Sequence, residues 1–524
     1  MTRRNHTGIA VVVLLSLCLN AYPIWWGLPS PTGWAPDELT PSEILEGISV
    51  GFSNGWHTKY PPFHYYVLAV LYAPVAALHS VGVLQIGSRS VYMSLFLIAR
   101  ITSLIMATLT VLVVYLCGRE LYGTRPALAA SLLVALLRPF VFYSKLANLD
   151  VPYVFWFACS LLFYIRVMKR HALRDYLLLS ATAVLAICTK DQAYGFYVLM
   201  PLAIVVAQRS RIAAAGVRRP LLRTLIDKRV GLSLLLACAL FVALFNLPLN
   251  LSGFLAHVKL ITGPASQCCQ ESANTLAGHL ELARRSVGSM RASFGWPAWI
   301  VCVAGLVSSL ANPRRDRLLL ALLVPAASYY CFYVAVILYV YDRFLIPMCI
   351  ILALFGGPVL DTLWNARRPL RPVGAALAAL TLVYTLLYAS AVDRAMASDA
   401  RYAAEQWFEQ HVAPEASVLL VGYTKYLPRI RTPGTVDTGT ASLSDLARST
   451  PDYVVTIDTW RPDGFLTNPT AREFFARLED GTAGYSPAYS YKADIGWPGL
   501  DIALGDTNLA KINPRVTIFE RRAQ

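Results

Sequence analysis

Apolar residues in this chain come in long blocks separated by short polar turns. The blocks cover residues 9–28, 93–117, 126–143, 151–165, 176–189, 193–207, 231–251, 294–310, 318–339, 344–363 and 373–391. A helix that crosses a bilayer needs about 20 predominantly apolar residues, so these blocks predict about eleven spans. Residues 42–50 read as a short amphipathic helix. Residues 63–81 are apolar but open on His64, Tyr65 and Tyr66, which suits a helix lying along the membrane interface. From residue 393 the pattern changes, and Pro, Gly, Asp and Thr become frequent. Short apolar runs at 417–421, 453–457 and 516–519 predict buried strands. Residues 399–412 and 469–478 predict amphipathic helices, the second with Asn468 as N-cap and Pro469 at its first position. The fold class expected is therefore an α-helical polytopic membrane domain, residues 1–392 with a first outer loop at about 29–92, followed by a small α/β domain, residues 393–524.

Composition supports the membrane class. Of 524 residues, 56% are hydrophobic and 15% charged, against about 25% charged in soluble domains. Net charge is +15. The basic residues fall in clusters between apolar blocks, at Arg166–Arg174, Arg209–Arg229, Arg314–Arg317 and Arg367–Arg371. Clusters of this kind set membrane orientation, so nucleic acid is not the expected partner. Arg3 and Arg4 place the N-terminus in the cytoplasm, and the first block reads as an uncleaved helix. Every strongly basic turn then lies inside, and the C-terminal domain lies outside the plasma (inner) membrane. The ten cysteines form no CxxC metal pattern, and a disulfide between the neighbours Cys268 and Cys269 would be strained.

The residues able to do chemistry from the outer side are Asp37, Glu38, Lys59, His64, Lys145, Asp150, Lys190, Asp191, His257, Asp342 and Arg343. Lysines at a membrane boundary also snorkel to head groups. Carboxylates gain nothing from anionic lipid, so the adjacent pair Asp37-Glu38, directly after the first helix, marks a site. Asp150 also fits a helix N-cap before Val151-Pro152.

The order apolar helix, Pro36-Asp37-Glu38, amphipathic helix, Lys59-Tyr60-Pro61-Pro62, aromatic helix resembles the GT-C membrane glycosyltransferases. Within them it is most similar to the branch of protein O-mannosyltransferases (the dolichyl-phosphate-mannose-protein mannosyltransferases) and lipid A aminoarabinose transferases. Ile98-Ala99-Arg100, Gly118-Arg119-Glu120-Leu121-Tyr122-Gly123, Leu146-Ala147-Asn148-Leu149-Asp150-Val151-Pro152 and Tyr341-Asp342-Arg343-Phe344-Leu345-Ile346-Pro347 are further matching pieces. The resemblance implies transfer of a sugar, hexose or pentose, from a polyprenyl phosphate to an acceptor hydroxyl on the outer face, with inversion. The acceptor is a protein, a lipid or a polysaccharide.

Such a transfer needs a base beside the acceptor oxygen and cations for the leaving phosphate. By the resemblance Asp37 is the expected base, with Glu38 orienting Asp37 or the acceptor. Lys59 and Arg343, then Lys145 and Lys190, are the expected phosphate ligands. Tyr60, His64, Asp150 and Asp342 are the expected substrate contacts. Two departures stand out: Lys145 or Asn148 occupies the place of an arginine-type residue, and Phe344 that of a tyrosine. No resident cofactor or metal is expected, although some relatives with paired acidic loops use a divalent ion. The competing reading is a transporter or flippase of a lipid-linked sugar, which should carry internal repeats, and none is visible. A non-catalytic scaffold would leave the Asp-Glu loop unexplained.

Overall fold

The computed structural model describes residues 3–217, 219–264, 270–438, 441–458, 469–497 and 508–522. Arg218, the Cys268-Cys269 pair and the N-cap expected at Asn468 lie outside the described residues. The chain divides into two compact units. One comprises Met1–Ile24 and Leu39–Ala389, the other Trp25–Glu38 and Ser390–Gln524.

The first unit is helical and its spans make the chain a multi-pass membrane protein. Among the described residues, six helices are long and apolar enough to cross a membrane: Arg89–Tyr122, Asp150–Arg170, Asp191–Ala214, Arg317–Ile337, Asp342–Trp364 and Arg371–His411. Two bent pairs, Pro220–Leu244 with Leu247–Thr262 (81°) and Leu276–Phe294 with Trp296–Ala311 (118°), raise the number to eight. The sequence pattern predicted about eleven, and the difference has local causes. Residues 9–28, 126–143 and 176–189 form only the shorter helices Thr7–Ala21, Thr124–Ala135 and Leu173–Thr189. The second stops before Pro139, which opens the separate short helix Arg138–Tyr143. A proline is tolerated in the first turn of a helix but breaks its interior. The two sharp bends fall at Asn246 and Gly295, both with positive φ (52° and 74°) and both followed within two residues by proline. Close helix contact relies on small residues. Gly357 on the Asp342–Trp364 helix has no room for a Cβ against Pro126 and Ala130, and Gly305 has none against the Phe355 backbone.

Three spans open on a carboxylate: Asp150, Asp191 and Asp342. The first two of them close on basic residues, Lys169 and Arg170 and then Arg211. The bundle thus has an acidic-opening end and a basic end. The helix expected along the interface forms at Phe63–Ser80 and the short amphipathic one at Pro41–Ser49, the latter under a capping box between Thr40 and Glu43.

The second unit is an α/β layer structure. Its strands are β1 Ser417–Val421, β2 Gly434–Thr438, β3 Tyr453–Ile457, β4 Tyr485–Tyr491 and β5 Val516–Arg521, in the order β2-β1-β3-β5-β4. β1 pairs in parallel with β2 and β3, while β5 runs antiparallel to β3 and β4. Alternation along the strands builds two cores. Leu419, Val421, Val454 and Phe519 meet Phe474 and Leu478 of helix Pro469–Glu479. Val418, Leu420, Val455, Val516 and Ile518 meet Ala400, Ala404 and Phe408 of helix Ala400–His411. β2 and β4 escape the sequence pattern because they are edge strands with half-exposed, mostly polar faces.

Candidate active site

The membrane unit holds a cavity of about 320 Å³ at the acidic-opening end, within the range of small-ligand sites. Three cations line it: Lys59, Lys190 and Arg343. Each is delivered by a different element. Lys59 precedes Tyr60-Pro61-Pro62, where proline forbids an earlier helix start. Lys190 ends the helix Leu173–Thr189, and Arg343 lies in the single turn Asp342–Leu345 before the next span.

Asp150 organises two of these cations. It is only 1% exposed; its Oδ1 receives the Lys190 ammonium at 2.5 Å, and its Oδ2 lies 3.7 Å from an Arg343 guanidinium nitrogen. Leu149 is the N-cap and Asp150 the first residue of the helix, so the capping role is not realised. A buried charge is costly without partners, and Asp150 holds two cations beside the cavity. Lys190 also lies 5.6 Å from the Tyr60 ring, 5.7 Å from Tyr153 and 6.0 Å from Phe344, within cation–π range. Asp342 accepts from Tyr143 Oη at 3.2 Å and from the Arg343 backbone N–H at 2.7 Å, which fixes the turn that carries Arg343.

Asp191 and His257 close one side. His257 Nε2 lies 3.1 Å from Asp191 Oδ1, and its Nδ1 lies 3.0 Å from the Thr58 carbonyl. The imidazole therefore ties the segment just before Lys59 to the start of a span. Sequence reasoning assigned no role to His257. It also passed over Gln192, Tyr333 and Tyr339, which line the cavity beside Phe344. Tyr333 donates to Gln192 Oε1 at 3.2 Å and sits in a five-residue π-helical turn, Tyr330–Val334. Such turns recur at functional sites. The available signal was the tyrosine density from Tyr329 to Tyr341, which a membrane sequence equally explains as an interfacial belt.

Two expected contacts lie elsewhere. Lys145 does not line the cavity; its ammonium donates to the carbonyls of Leu19 and Tyr22 at 2.9 and 2.8 Å. Arg100 does the same for Ile24 at 2.7 Å. The last carbonyls of a helix lack intrahelical donors and carry partial negative charge, so Lys145 caps the end of the first helix and Arg100 holds the turn that follows it. His64 is buried, and burial pushes its pKa down to about 3. It is a neutral ring in the packing of helix Phe63–Ser80 and is absent from the cavity lining.

Asp37 and Glu38 end the stretch Trp25–Glu38, which belongs to the second unit. Its anchors are buried there. Trp26 Nε1 donates to Asp399 Oδ2 at 3.0 Å, the Gly27 N–H donates to Tyr402 Oη at 2.9 Å, and the Arg401 guanidinium lies 4.0 Å from the Trp34 ring centre. Asp399 and Arg401 are themselves fully buried and paired at 2.7 Å. Asp37 takes a left-handed conformation, φ 51°, which aspartate tolerates better than most residues and which recurs at functional positions. It is half-buried and Glu38 is buried. At Leu39 the chain re-enters the membrane unit, its N–H donating to the Ala147 carbonyl at 2.6 Å. Among the described residues no group of three or more His, Cys, Asp or Glu side chains is arranged to hold a metal ion.

Residues 82–244 match the family described as dolichyl-phosphate-mannose-protein mannosyltransferase. The resemblance to the GT-C mannosyltransferases is borne out over that stretch. It includes Asp150 and Lys190. No curated protein matches the chain.

Among solved structures, the chain is similar to the oligosaccharyltransferase AglB of Archaeoglobus fulgidus in complex with an inhibitory peptide and a dolichol-phosphate. Identity is 14% and the TM-score 0.46, covering 93% of this chain and 73% of that one. The same organism's enzyme tethered to an acceptor peptide gives 15% and 0.49, covering 96% and 74%. ArnT from Cupriavidus metallidurans bound to undecaprenyl phosphate gives 14% and 0.45, covering 98% and 97%.

Proposed function

We propose that this protein is a GT-C glycosyltransferase of the plasma (inner) membrane that moves a sugar from a polyprenyl phosphate to an acceptor hydroxyl on the extracytoplasmic side, with inversion. The observation that carries the reading is the convergence of Lys59, Lys190 and Arg343 on one cavity at the ends of membrane spans. A phosphate on a membrane lipid meets the protein at that depth, and three cations suit it. By the positive-inside rule the basic end of the bundle faces the cytoplasm, which puts the cavity on the outer side.

In the reaction the acceptor oxygen attacks the anomeric carbon while Asp37 removes its proton. The bond from that carbon to the phosphate oxygen breaks, and the electron pair leaves with the polyprenyl phosphate. Lys59, Lys190 and Arg343 offset the charge that develops there. Glu38 orients Asp37 or the acceptor. Asp150 serves the reaction by holding Lys190 and Arg343 in place, and Tyr60 and Tyr333 supply faces for the sugar. The sugar, and an acceptor that is protein, lipid or polysaccharide, are to be found by screening.

The test is transfer from a panel of polyprenyl-phosphate sugars to envelope acceptors by the purified full-length protein. Product that depends on Lys190 and Arg343 supports the reading. Translocation of the lipid with no glycosylated product, in wild type as in variants, would replace it with the transporter.

A further inference from the structure

A second cavity, about 780 Å³, opens at the basic end of the membrane unit and shares no lining residue with the first. Its wall is almost entirely apolar along helix Met200–Ala214, where Leu202 and Val206 are 60% and 52% exposed. Leu318, Ala321 and Val324 form the facing side. Large apolar side chains left this open at membrane depth are covered by lipid. Three cations ring one end: Lys169, Arg211 and Arg317. Each stands at or near the end of a different span, Asp150–Arg170, Asp191–Ala214 and Arg317–Ile337. From Leu202 to Arg211 a helix rises about 14 Å, close to half of the roughly 30 Å hydrocarbon core.

The charges are held in place. Arg211 Nη2 donates to the carbonyls of Met168 and Lys169, which fixes its guanidinium at the end of the neighbouring helix. Lys169 shares Glu120 with Arg166 and Arg170, so that cluster remains net positive. Asp316, next to Arg317, is taken by Arg315 at 2.9 Å.

We propose that this groove binds one anionic diacyl phospholipid, with its acyl chains along Leu202, Val206 and Val324 and its phosphate at Lys169, Arg211 and Arg317. An apolar slot one leaflet deep that ends in three cations matches the two ends of such a molecule, and basic pockets between spans on the cytoplasmic side take anionic head groups. The proposal does not depend on the transferase reading.

The experiment uses full-length protein, delipidated in mild detergent, with phosphatidylglycerol and phosphatidylcholine of the same acyl chains and a polyprenyl phosphate as probes. Thermal unfolding and native mass spectrometry are the readouts. A ligand that binds only the folded state raises the melting temperature progressively with its concentration. Phosphatidylglycerol is expected to do so and to appear as a one-lipid adduct, with at least a tenfold weaker response in R211A/R317A. Val206→Trp, which fills the groove and keeps every charge, should abolish the adduct as well. Equal response to the two phospholipids, an adduct untouched by Val206→Trp, or saturation by polyprenyl phosphate in place of phosphatidylglycerol would each overturn the proposal. Should R211A/R317A fail to fold, the wild-type comparison of lipids and the Val206→Trp variant still decide it.

Discussion

The indole of Trp26 donates its Nε1 hydrogen to Asp399 at 3.0 Å, joining residues 373 apart in the sequence. Asp399 also pairs with Arg401 and accepts the Asn513 N–H at 2.9 Å. This buried carboxylate thus roots the stretch that ends in Asp37 and Glu38. Asp399→Ala leaves Arg401 as an uncompensated buried charge, at a cost of about 3–5 kcal/mol. Asp399→Asn keeps several hydrogen bonds and should cost less. If the stretch positions Asp37, the milder variant should lower turnover while leaving donor affinity unchanged. Thermal unfolding and separate kcat and KM measurements check both points; equal stability of Asp399→Ala and wild type would remove Asp399 as the anchor.

A second prediction concerns the ion pair in the cavity. Lys190→Met strands Asp150 with Arg343 alone, 3.7 Å away. The loss expected is again about 3–5 kcal/mol, and adding Asp150→Asn should restore part of it, because removing both partners is cheaper than removing one. A double-mutant cycle on thermal unfolding measures the coupling. A coupling near zero would mean that the two side chains do not meet.

Arg343 is tested by conservative exchange. Arg343→Lys keeps a point charge and loses the planar fork, whereas Arg343→Ala loses both. Donor use should fall in the order wild type, Lys, Ala. Lys145→Ala serves as the contrast: it should lower stability, through the carbonyls of Leu19 and Tyr22, and leave donor affinity intact. Wild-type donor kinetics in both Arg343 variants would take that residue out of the phosphate site.

The class, the C-terminal α/β domain and much of the cavity were legible in the sequence for physical reasons. Long apolar blocks and basic turns admit few alternatives, and Lys59, Lys190 and Arg343 stood out as charges at membrane boundaries. What local pattern cannot convey is which boundary charges converge. Lys145 and Lys190 look alike in sequence, yet one caps a helix end and the other pairs with Asp150. Nor does it convey that Trp25–Glu38 belongs with the chain beyond residue 390, because Trp26, Asp399 and Arg401 meet only in the folded chain. The count of about eleven spans is not confirmed, because runs such as 9–28 and 126–143 form shorter helices, the second ending before Pro139.

Acid should act on the C-terminal unit through Asp452. The Ser417 hydroxyl and backbone N–H donate to it at 2.7 and 2.9 Å, and these bonds, with Arg521 nearby, hold its carboxyl below the usual range. A depressed carboxylate contributes stability above its unfolded pKa, about 3.9, and the contribution disappears as pH falls through the lower folded value. Asp452→Asn should therefore be less stable than wild type at neutral pH, with the gap closing in strong acid. Unfolding curves that stay parallel at every pH would show that the ionised form is not what Ser417 stabilises.

Asp37 is the residue on which the proposed chemistry turns. Asp37→Asn keeps the size of the side chain and its tolerance of φ 51°, so the loop should hold its shape, but an amide cannot take the acceptor's proton. Loss of a general base costs about a hundredfold to ten-thousandfold in rate. Donor binding should survive, because the proposed phosphate ligands Lys59, Lys190 and Arg343 are untouched. Glu38→Gln should cost less, since an amide still orients a neighbour by hydrogen bonding. The measurement is product formed per donor consumed, with donor affinity determined separately. A fall in rate at constant affinity assigns Asp37 to the chemical step. A fall in affinity of the same size would make it a donor contact instead, and wild-type turnover would pass the role to Glu38, the one other carboxylate of that loop stretch.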